Sequence, residues 1–339
     1  MNERYSRQIL FPEIKRAGQE KLLNSRVLLV GCGALGAAHA ETLTRAGVGF
    51  IRIVDRDFVE SSNLQRQSLF SESDAKDRLP KAIAAKNRLM EINSEIEVEA
   101  IVADVNHSNI ESLIKDCDLI LDGTDNFQTR YQVNDACIKQ NKIWIYGAAV
   151  SSYGVTMTIQ PNVTPCLRCI FEEMPGAGKA PTCDTAGVIQ PIINSISAVQ
   201  TTEALKILTG NFDSLHKSLM QIDIWRNEWR KIKLGAPNAE CPTCACKNFE
   251  FLDAESSEFS AVLCGRDAIQ ISPPKPSDLD LPALAEKLKN IAEVKQNEYL
   301  LRLTVGELEL TVFRDARAII RGTDDVAAAR SVYAKYVGV

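Results

Sequence analysis

The residues Arg26-Val27-Leu28-Leu29-Val30 run directly into Gly31-Cys32-Gly33-Ala34-Leu35-Gly36. A short buried strand that ends in G-x-G-x-x-G and continues into helix-forming sequence (36–46) constrains a chain strongly. Its glycines serve a tight turn and the close approach of backbone to a phosphate. The next strand, Phe50–Val54, ends at Asp55. A carboxylate there accepts ribose hydroxyls, while free N–H groups at the helix start favour an anion. The turn by itself does not choose between NAD, FAD and ATP.

The alternation continues beyond this unit. Helices are expected at about 80–92, 108–115 and 127–140, and strands at 96–101, 119–121 and 143–146. Interleaved strands and helices with apolar strands imply a parallel sheet covered on both faces, an α/β Rossmann-like doubly wound sheet. After Gly147 the pattern changes to strands at 153–159 and 218–224, an antiparallel extension, with a helix at 192–208 between them. The Gly/Pro-rich stretch Pro175–Pro181 is too long for a tight turn and reads as a functional or mobile loop. Residues 251–260 read as a linker, and 261–339 as a small α+β C-terminal domain. In that domain a helix is expected at 281–292, a two-residue hairpin turn at Gly306-Glu307, and a last helix capped by Asp324. The larger domain is 1–250, divided into a nucleotide-binding half of about 1–150 and a second half of about 151–250.

Composition narrows the partners. Lys+Arg 39 against Asp+Glu 44 gives a net charge of −5, which argues against nucleic acid. No apolar stretch reaches the roughly 20 residues that span a bilayer, so no membrane role is expected. The start lacks the apolar core of a signal peptide, and a cytoplasmic protein is expected. In that compartment the 10 cysteines point to metal or thiol chemistry rather than disulfides. Cys166-Leu167-Arg168-Cys169 and Cys241-Pro242-Thr243-Cys244 form two C-x₂-C pairs that suit a closed tetrahedral Zn²⁺ site, with Cys246 as an alternative to Cys244. Cys32, Cys117 and Cys137 read as packing residues, and Cys264 has no visible partner. Trp144, Trp225 and Trp229 are expected in the core. The three histidines His39, His107 and His216 build no catalytic triad or metal cluster.

The carboxyl ends of adjacent parallel strands converge on one crevice. It is expected to hold Asp55, Asp57, Asn63, Arg66, Lys81 and Asp125 together. Two cations and an additional carboxylate suit a triphosphate with Mg²⁺, a need that a nicotinamide does not have.

Arg4-Tyr5-Ser6-Arg7-Gln8, the glycine turn, Ser62-Asn63-Leu64-Gln65-Arg66-Gln67, Pro80-Lys81, Thr124-Asp125-Asn126 and Cys183 before Ala186-Gly187 occur in that order. Over about residues 1–250 this resembles the ThiF/MoeB/HesA family, bacterial relatives of ubiquitin-activating enzymes. The resemblance implies ATP- and Mg²⁺-dependent adenylation of the C-terminal glycine of a ubiquitin-like sulfur carrier protein ending in Gly-Gly, with release of pyrophosphate. It implies that Gly31, Gly33, Ala34, Gly36, Asp55, Asp57, Ser62, Asn63, Leu64, Gln65, Arg66, Lys81, Asp125 and Asn126 line the nucleotide site. Within it, Arg66, Lys81 and Asp125 are catalytic, Asn63 contacts phosphate and Asp125 holds Mg²⁺.

The same resemblance implies that the second half docks the carrier and that Arg7 reaches the neighbouring protomer of a homodimer. It also implies the four-cysteine zinc site, and a Cys183 that can link covalently to the carrier, against the alternative of a plain loop cysteine. Ala34 and Arg78-Leu79 depart from the glycines and glutamine common in the family.

No rhodanese pattern occurs in the tail, so sulfur is expected from a separate sulfurtransferase or cysteine desulfurase. The short tail resembles ThiF-like members serving thiamine-thiazole biosynthesis, with the molybdopterin synthase carrier as the alternative, and tRNA-thiolation or peptide modification left open. A non-catalytic NAD(P)-binding Rossmann module is the alternative of a different class.

Overall fold

A computed structural model describes residues 3–174, 183–253, 260–263, 268–273 and 278–338, with the backbone alone described at 183–184 and 260–263. Contacts divide the chain into two units, Met1–Ser256 and Ser257–Val339.

In the first unit, α1 (Ser6–Ile9) and α2 (Lys15–Leu23) precede β1 (Arg26–Val30), α3 (Ala34–Ala46) and β2 (Phe50–Asp55). Then come α4 (Glu72–Asp77), α5 (Lys81–Ile92), β3 (Glu97–Val102), α6 (Ile110–Ile114), β4 (Leu119–Asp122), α7 (Phe127–Lys139) and β5 (Ile143–Val150). The chain continues through β6 (Tyr153–Ile159), α8 (Leu167–Ile170), α9 (Cys183–Ala186), α10 (Gln190–Thr209), β7 (Ser218–Asp223) and β8 (Glu228–Lys233). All eight strands form one sheet in the order β3-β2-β1-β4-β5-β6-β7-β8. The pairs from β3 to β5 are parallel and those from β5 to β8 antiparallel.

Successive side chains of a strand point to opposite faces. Val27 and Leu29 accordingly enter one core with Leu43, Ile51, Ile53 and Leu89. Leu28 and Val30 enter a second core with Ile114, Ile120, Tyr131 and Trp144. A strand buried on both faces reads as a continuous apolar run, which is why β1 shows no alternation. The turn after it tolerates little else: Gly31 has φ +86°, and a Cβ on Gly36 would overlap the Gly31 carbonyl oxygen.

Several expectations need correction. Trp144 is fully buried, but Trp225 and Trp229 are 79% and 53% exposed. They lie on the β7–β8 hairpin at the sheet's edge, where β8 is exposed along most of its length and offers no buried face to read. The expected loop Pro175–Pro181, Cys264 and most of the expected linker lie outside the described residues, as does the Cys183 side chain. Among the described residues, no helix is long and apolar enough to cross a membrane.

The second unit contains β9 (Ser260–Leu263), β10 (Ala268–Ile271), α11 (Leu281–Leu288), β11 (Glu293–Gln296), β12 (Leu300–Val305), β13 (Leu308–Phe313), β14 (Ala318–Arg321) and α12 (Val326–Tyr336). Its antiparallel sheet has the order β11-β12-β13-β14-β10-β9. Val305 pairs with Leu308, so Gly306-Glu307 is the expected two-residue turn. The first helix stops at Leu288 instead of 292, because Ile291 turns outward and Glu293 begins the strand paired with β12. The last helix is capped by Asp325, not Asp324: its carboxylate accepts the Ala327 and Ala328 amides at 2.8 and 3.3 Å.

Candidate active site

The glycine turn, β2 and the start of α5 meet through hydrogen bonds. The Cys32 amide donates to Asp55 Oδ2 at 2.6 Å, and the Asp57 amide donates to Asp55 Oδ1 at 2.7 Å. Lys81, 3% exposed, points its Nζ at Asp57 Oδ2, 3.3 Å away, and its amide donates to the Asp57 carbonyl. Asp55, Asp57, Lys81 and the glycine turn are therefore one cluster at the carboxyl ends of β1 and β2. Burial pushes the Asp55 carboxyl up, with nearby Lys81 opposing. Burial raises the Cys32 thiol well above its usual range, so this cysteine packs as a neutral group.

The Ser62–Gln67 turn lies beside this cluster. Asn63 is 2% exposed, and its Oδ1 accepts the Glu60 amide at 3.0 Å, so part of its polar capacity holds the turn. Arg66 Nη1 donates to the Ser62 carbonyl at 2.8 Å, and Leu64 is half-buried while Ser62 and Gln65 are exposed. Gln67 was not singled out as a site residue. It is 4% exposed, its Oε1 is a buried acceptor without a partner, and its Nε2 lies 4.0 Å from where a Gly33 side chain would begin. Its side chain lies beside the glycine loop.

Asp125 is exposed on the loop after β4. Asn126 is occupied as the cap of α7, its Oδ1 accepting the Thr129 amide at 3.2 Å. Ala34 opens α3 and packs against a buried apolar cluster that includes Ile192 and Ile193, which gives its methyl an apolar place. Arg78 explains one departure: it ends α4 at φ +47°, a left-handed position that favours glycine. Arg7 is exposed on α1, beside Leu10 and Phe11, which are 70% and 53% exposed.

Sequence reasoning also missed a buried brace. The β4–β5 ladder ends at Leu121 and Ile145. Beyond it, Arg130 Nε donates to Asp122 Oδ2 at 2.9 Å, and Nη2 donates to the Thr124 and Gly147 carbonyls at 2.6 and 3.0 Å. Gln200 of α10 donates to the Asp122 and Ile145 carbonyls, both at 3.3 Å, and its Oε1 accepts His39 Nε2 at 2.9 Å. Burial raises Asp122; it also opposes the charge of Arg130, but the ion pair with Asp122 overcomes that and keeps the guanidinium charged. The brace fixes the root of the Asp125 loop.

The four cysteines form a second site. The Sγ atoms of Cys166, Cys169, Cys241 and Cys244 all lie within 4.8 Å of one another. Three of the separations are 3.8, 3.6 and 3.4 Å. Zinc–sulfur bonds of about 2.3 Å in a tetrahedron put the sulfurs about 3.8 Å apart, so the cluster could bind zinc. Cys246 is outside it, exposed, with its Sγ toward the Glu240 carbonyl. Asp135 of α7 anchors the loop, accepting Thr243 Oγ1 at 2.9 Å and the Phe251 amide at 3.1 Å.

Comparison with known proteins places this geometry. Residues 5–243 match the model of the ThiF family. The chain belongs to the ThiF family. It is 46% identical over 340 residues, all of both chains, to the sulfur carrier protein ThiS adenylyltransferase of Bacillus subtilis (strain 168). It is 35% identical to the sulfur carrier protein adenylyltransferase of Thermus thermophilus over 71% of this chain and 90% of that one. The crystal structure of E. coli MccB with ATP superimposes with a TM-score of 0.63 at 25% identity, covering 72% of this chain and 75% of that one. This ThiF-family protein is an adenylyltransferase.

Proposed function

We infer that the protein adenylates the C-terminal glycine of a ubiquitin-like sulfur carrier of the ThiS type, serving thiazole formation in thiamine biosynthesis. The observation that carries this reading is the identity to the Bacillus ThiS adenylyltransferase along the whole chain, the C-terminal unit included. The molybdopterin-type carrier ranks second. The similarity to the mosquito (Culex quinquefasciatus) adenylyltransferase and sulfurtransferase MOCS3 is 35% and spans 67% of that protein.

The pocket suits the chemistry. Asp55 offers lone pairs to ribose hydroxyls, and the glycine turn offers backbone to phosphate. Lys81 sits beside it, screened from water, where its charge is worth more to a phosphoryl group than in solvent. Arg66 supplies a second cation from its turn. The carrier's glycine carboxylate is ionised near neutral pH and needs no general base. One of its oxygens attacks the α-phosphorus while the bond to the bridging oxygen breaks, and pyrophosphate leaves with that electron pair. Asp125, exposed at the pocket's rim, would hold Mg²⁺, which supplies charge neutralisation when bound. The thiolates of Cys166, Cys169, Cys241 and Cys244 would hold Zn²⁺, a structural ion.

In this reading the enzyme works in the cytoplasm as a homodimer, with Arg7 reaching the partner's pocket from beside the exposed Leu10 and Phe11. The carrier docks on residues 151–250. Sulfur arrives from a sulfurtransferase or cysteine desulfurase, and the Cys183 thiolate takes the carrier's acyl group from the adenylate as a thioester, with AMP leaving as the acyl–phosphate bond breaks.

Pyrophosphate exchange tests the reaction. Asp125→Ala should abolish carrier-dependent exchange between ATP and pyrophosphate, and wild-type rates in that variant would remove Asp125 from the mechanism. Fluorescence titration should show binding of ATP with Mg²⁺ and none of NADH; the reverse preference would favour a dinucleotide-binding module.

A further inference from the structure

Arg56 follows Asp55 and was not expected to take part in the site. The β2–β3 ladder closes with Asp55 opposite Val102. Just past it, Arg56 Nη1 meets Asp104 Oδ1 at 3.2 Å, the two side chains 19% and 25% exposed. Asp104 is itself fixed, because its carbonyl accepts Asn106 Nδ2 at 3.2 Å and Asn109 Nδ2 at 2.8 Å. Burial works against the Arg56 charge, but Asp104, Asp57, Asp125 and Asp55 together hold it charged. A half-buried, anchored guanidinium therefore stands at the carboxyl ends of β2 and β3.

Its place relative to a nucleotide follows from the sheet order β3-β2-β1-β4. The glycine turn and Lys81 take the phosphates above β1, and Asp55 takes the ribose at β2. The base then extends away from the phosphates, toward β3, where Arg56 lies. A planar guanidinium stacks on a purine face, which an ammonium cannot do. The ion pair with Asp104 restricts its rotation.

Resting on the nucleotide reading above, we propose that Arg56, oriented by Asp104, is a nucleobase-binding residue whose guanidinium forms one wall of the purine site. The role is in binding rather than in the displacement at phosphorus, so it governs affinity for the nucleoside and not for pyrophosphate.

The test is calorimetric titration of AMP and of pyrophosphate into the full chain, with Arg56→Met, Arg56→Lys and Asp104→Asn, and melting temperatures for each. Base stacking predicts that Arg56→Met weakens AMP about tenfold. It also predicts pyrophosphate affinity within twofold of wild type, no full restoration by lysine, and a smaller AMP loss in Asp104→Asn. AMP affinity within twofold of wild type in Arg56→Met would overturn the proposal. So would a parallel fall in pyrophosphate affinity, or full rescue by Arg56→Lys. An equal melting-temperature loss in Arg56→Met and Asp104→Asn, with AMP affinity intact in both, would make the pair purely structural and also overturn it. Wild-type protein that binds neither AMP nor ATP would instead defeat the nucleotide reading itself.

Discussion

His39 on α3 is fully buried and donates to Gln200, while its Nδ1 has no partner. Burial pushes its pKa down to about 4. The folded protein thus keeps the ring neutral where the unfolded chain, with an ordinary value of 6.5, takes up a proton. Its contribution to stability is complete above pH 6.5 and is lost progressively as pH falls toward 4. Between pH 7 and pH 5 the loss is about 2 kcal/mol. His39→Gln removes the titration, so urea midpoints of wild type and variant measured at both pH values should show a correspondingly shallower acid slope in the variant. Parallel slopes would mean that His39 takes up its proton in the folded state as readily as in the unfolded chain. The residues legible from sequence alone were those tied to a local pattern: Asp55 closes a strand that follows a glycine turn, and Lys81 opens a helix. Arg130 and Gln200 had no such pattern, since the carbonyls they brace are brought to them by tertiary folding.

Among the elements, strands buried on both faces and helices with an apolar stripe announced themselves, and β1 to β5 were expected close to where they lie. The edge strand β8 was missed because its sequence, Glu-Trp-Arg-Lys-Ile-Lys, is exposed along most of its length and carries no periodic signal. The cysteine pairs were legible because metal chemistry imposes its own spacing. They join α8 to residues 241–244; Asp135 holds that closure against α7, and the Arg168–Glu250 ion pair ties α8 to the segment after it. A clip of this kind ties down a stretch with little secondary structure. Replacing the buried Cys241 by serine leaves three thiols without a closed site. Its expected effects are loss of about one zinc per chain by metal analysis and a fall in melting temperature of about 10 °C, corresponding to about 3 kcal/mol. Unchanged metal content with unchanged melting would show that these thiols are packed but do not hold an ion.

At the scale of the whole molecule, the division between Ser256 and Ser257 separates two sheets, each with its own apolar core. The family match ends at residue 243, and the Thermus relative is covered over 90% of its length by 71% of this chain. The glycine turn, the Lys81–Asp57 pair, the Asp125 loop and the four cysteines all fall within the first unit. On the proposed function, adenylation then needs nothing beyond it. A chain of residues 1–256 should retain carrier-dependent pyrophosphate exchange within about threefold of the full-length rate, because the groups that act on charge at phosphorus are all still present. The full-length protein should show two thermal transitions, one of them absent from the shortened chain. If the shortened chain folds and binds ATP yet loses carrier-dependent exchange, the second unit contributes to carrier recognition. That outcome would account for similarity to the Bacillus enzyme running through residues 257–339 rather than stopping where the nucleotide site is complete.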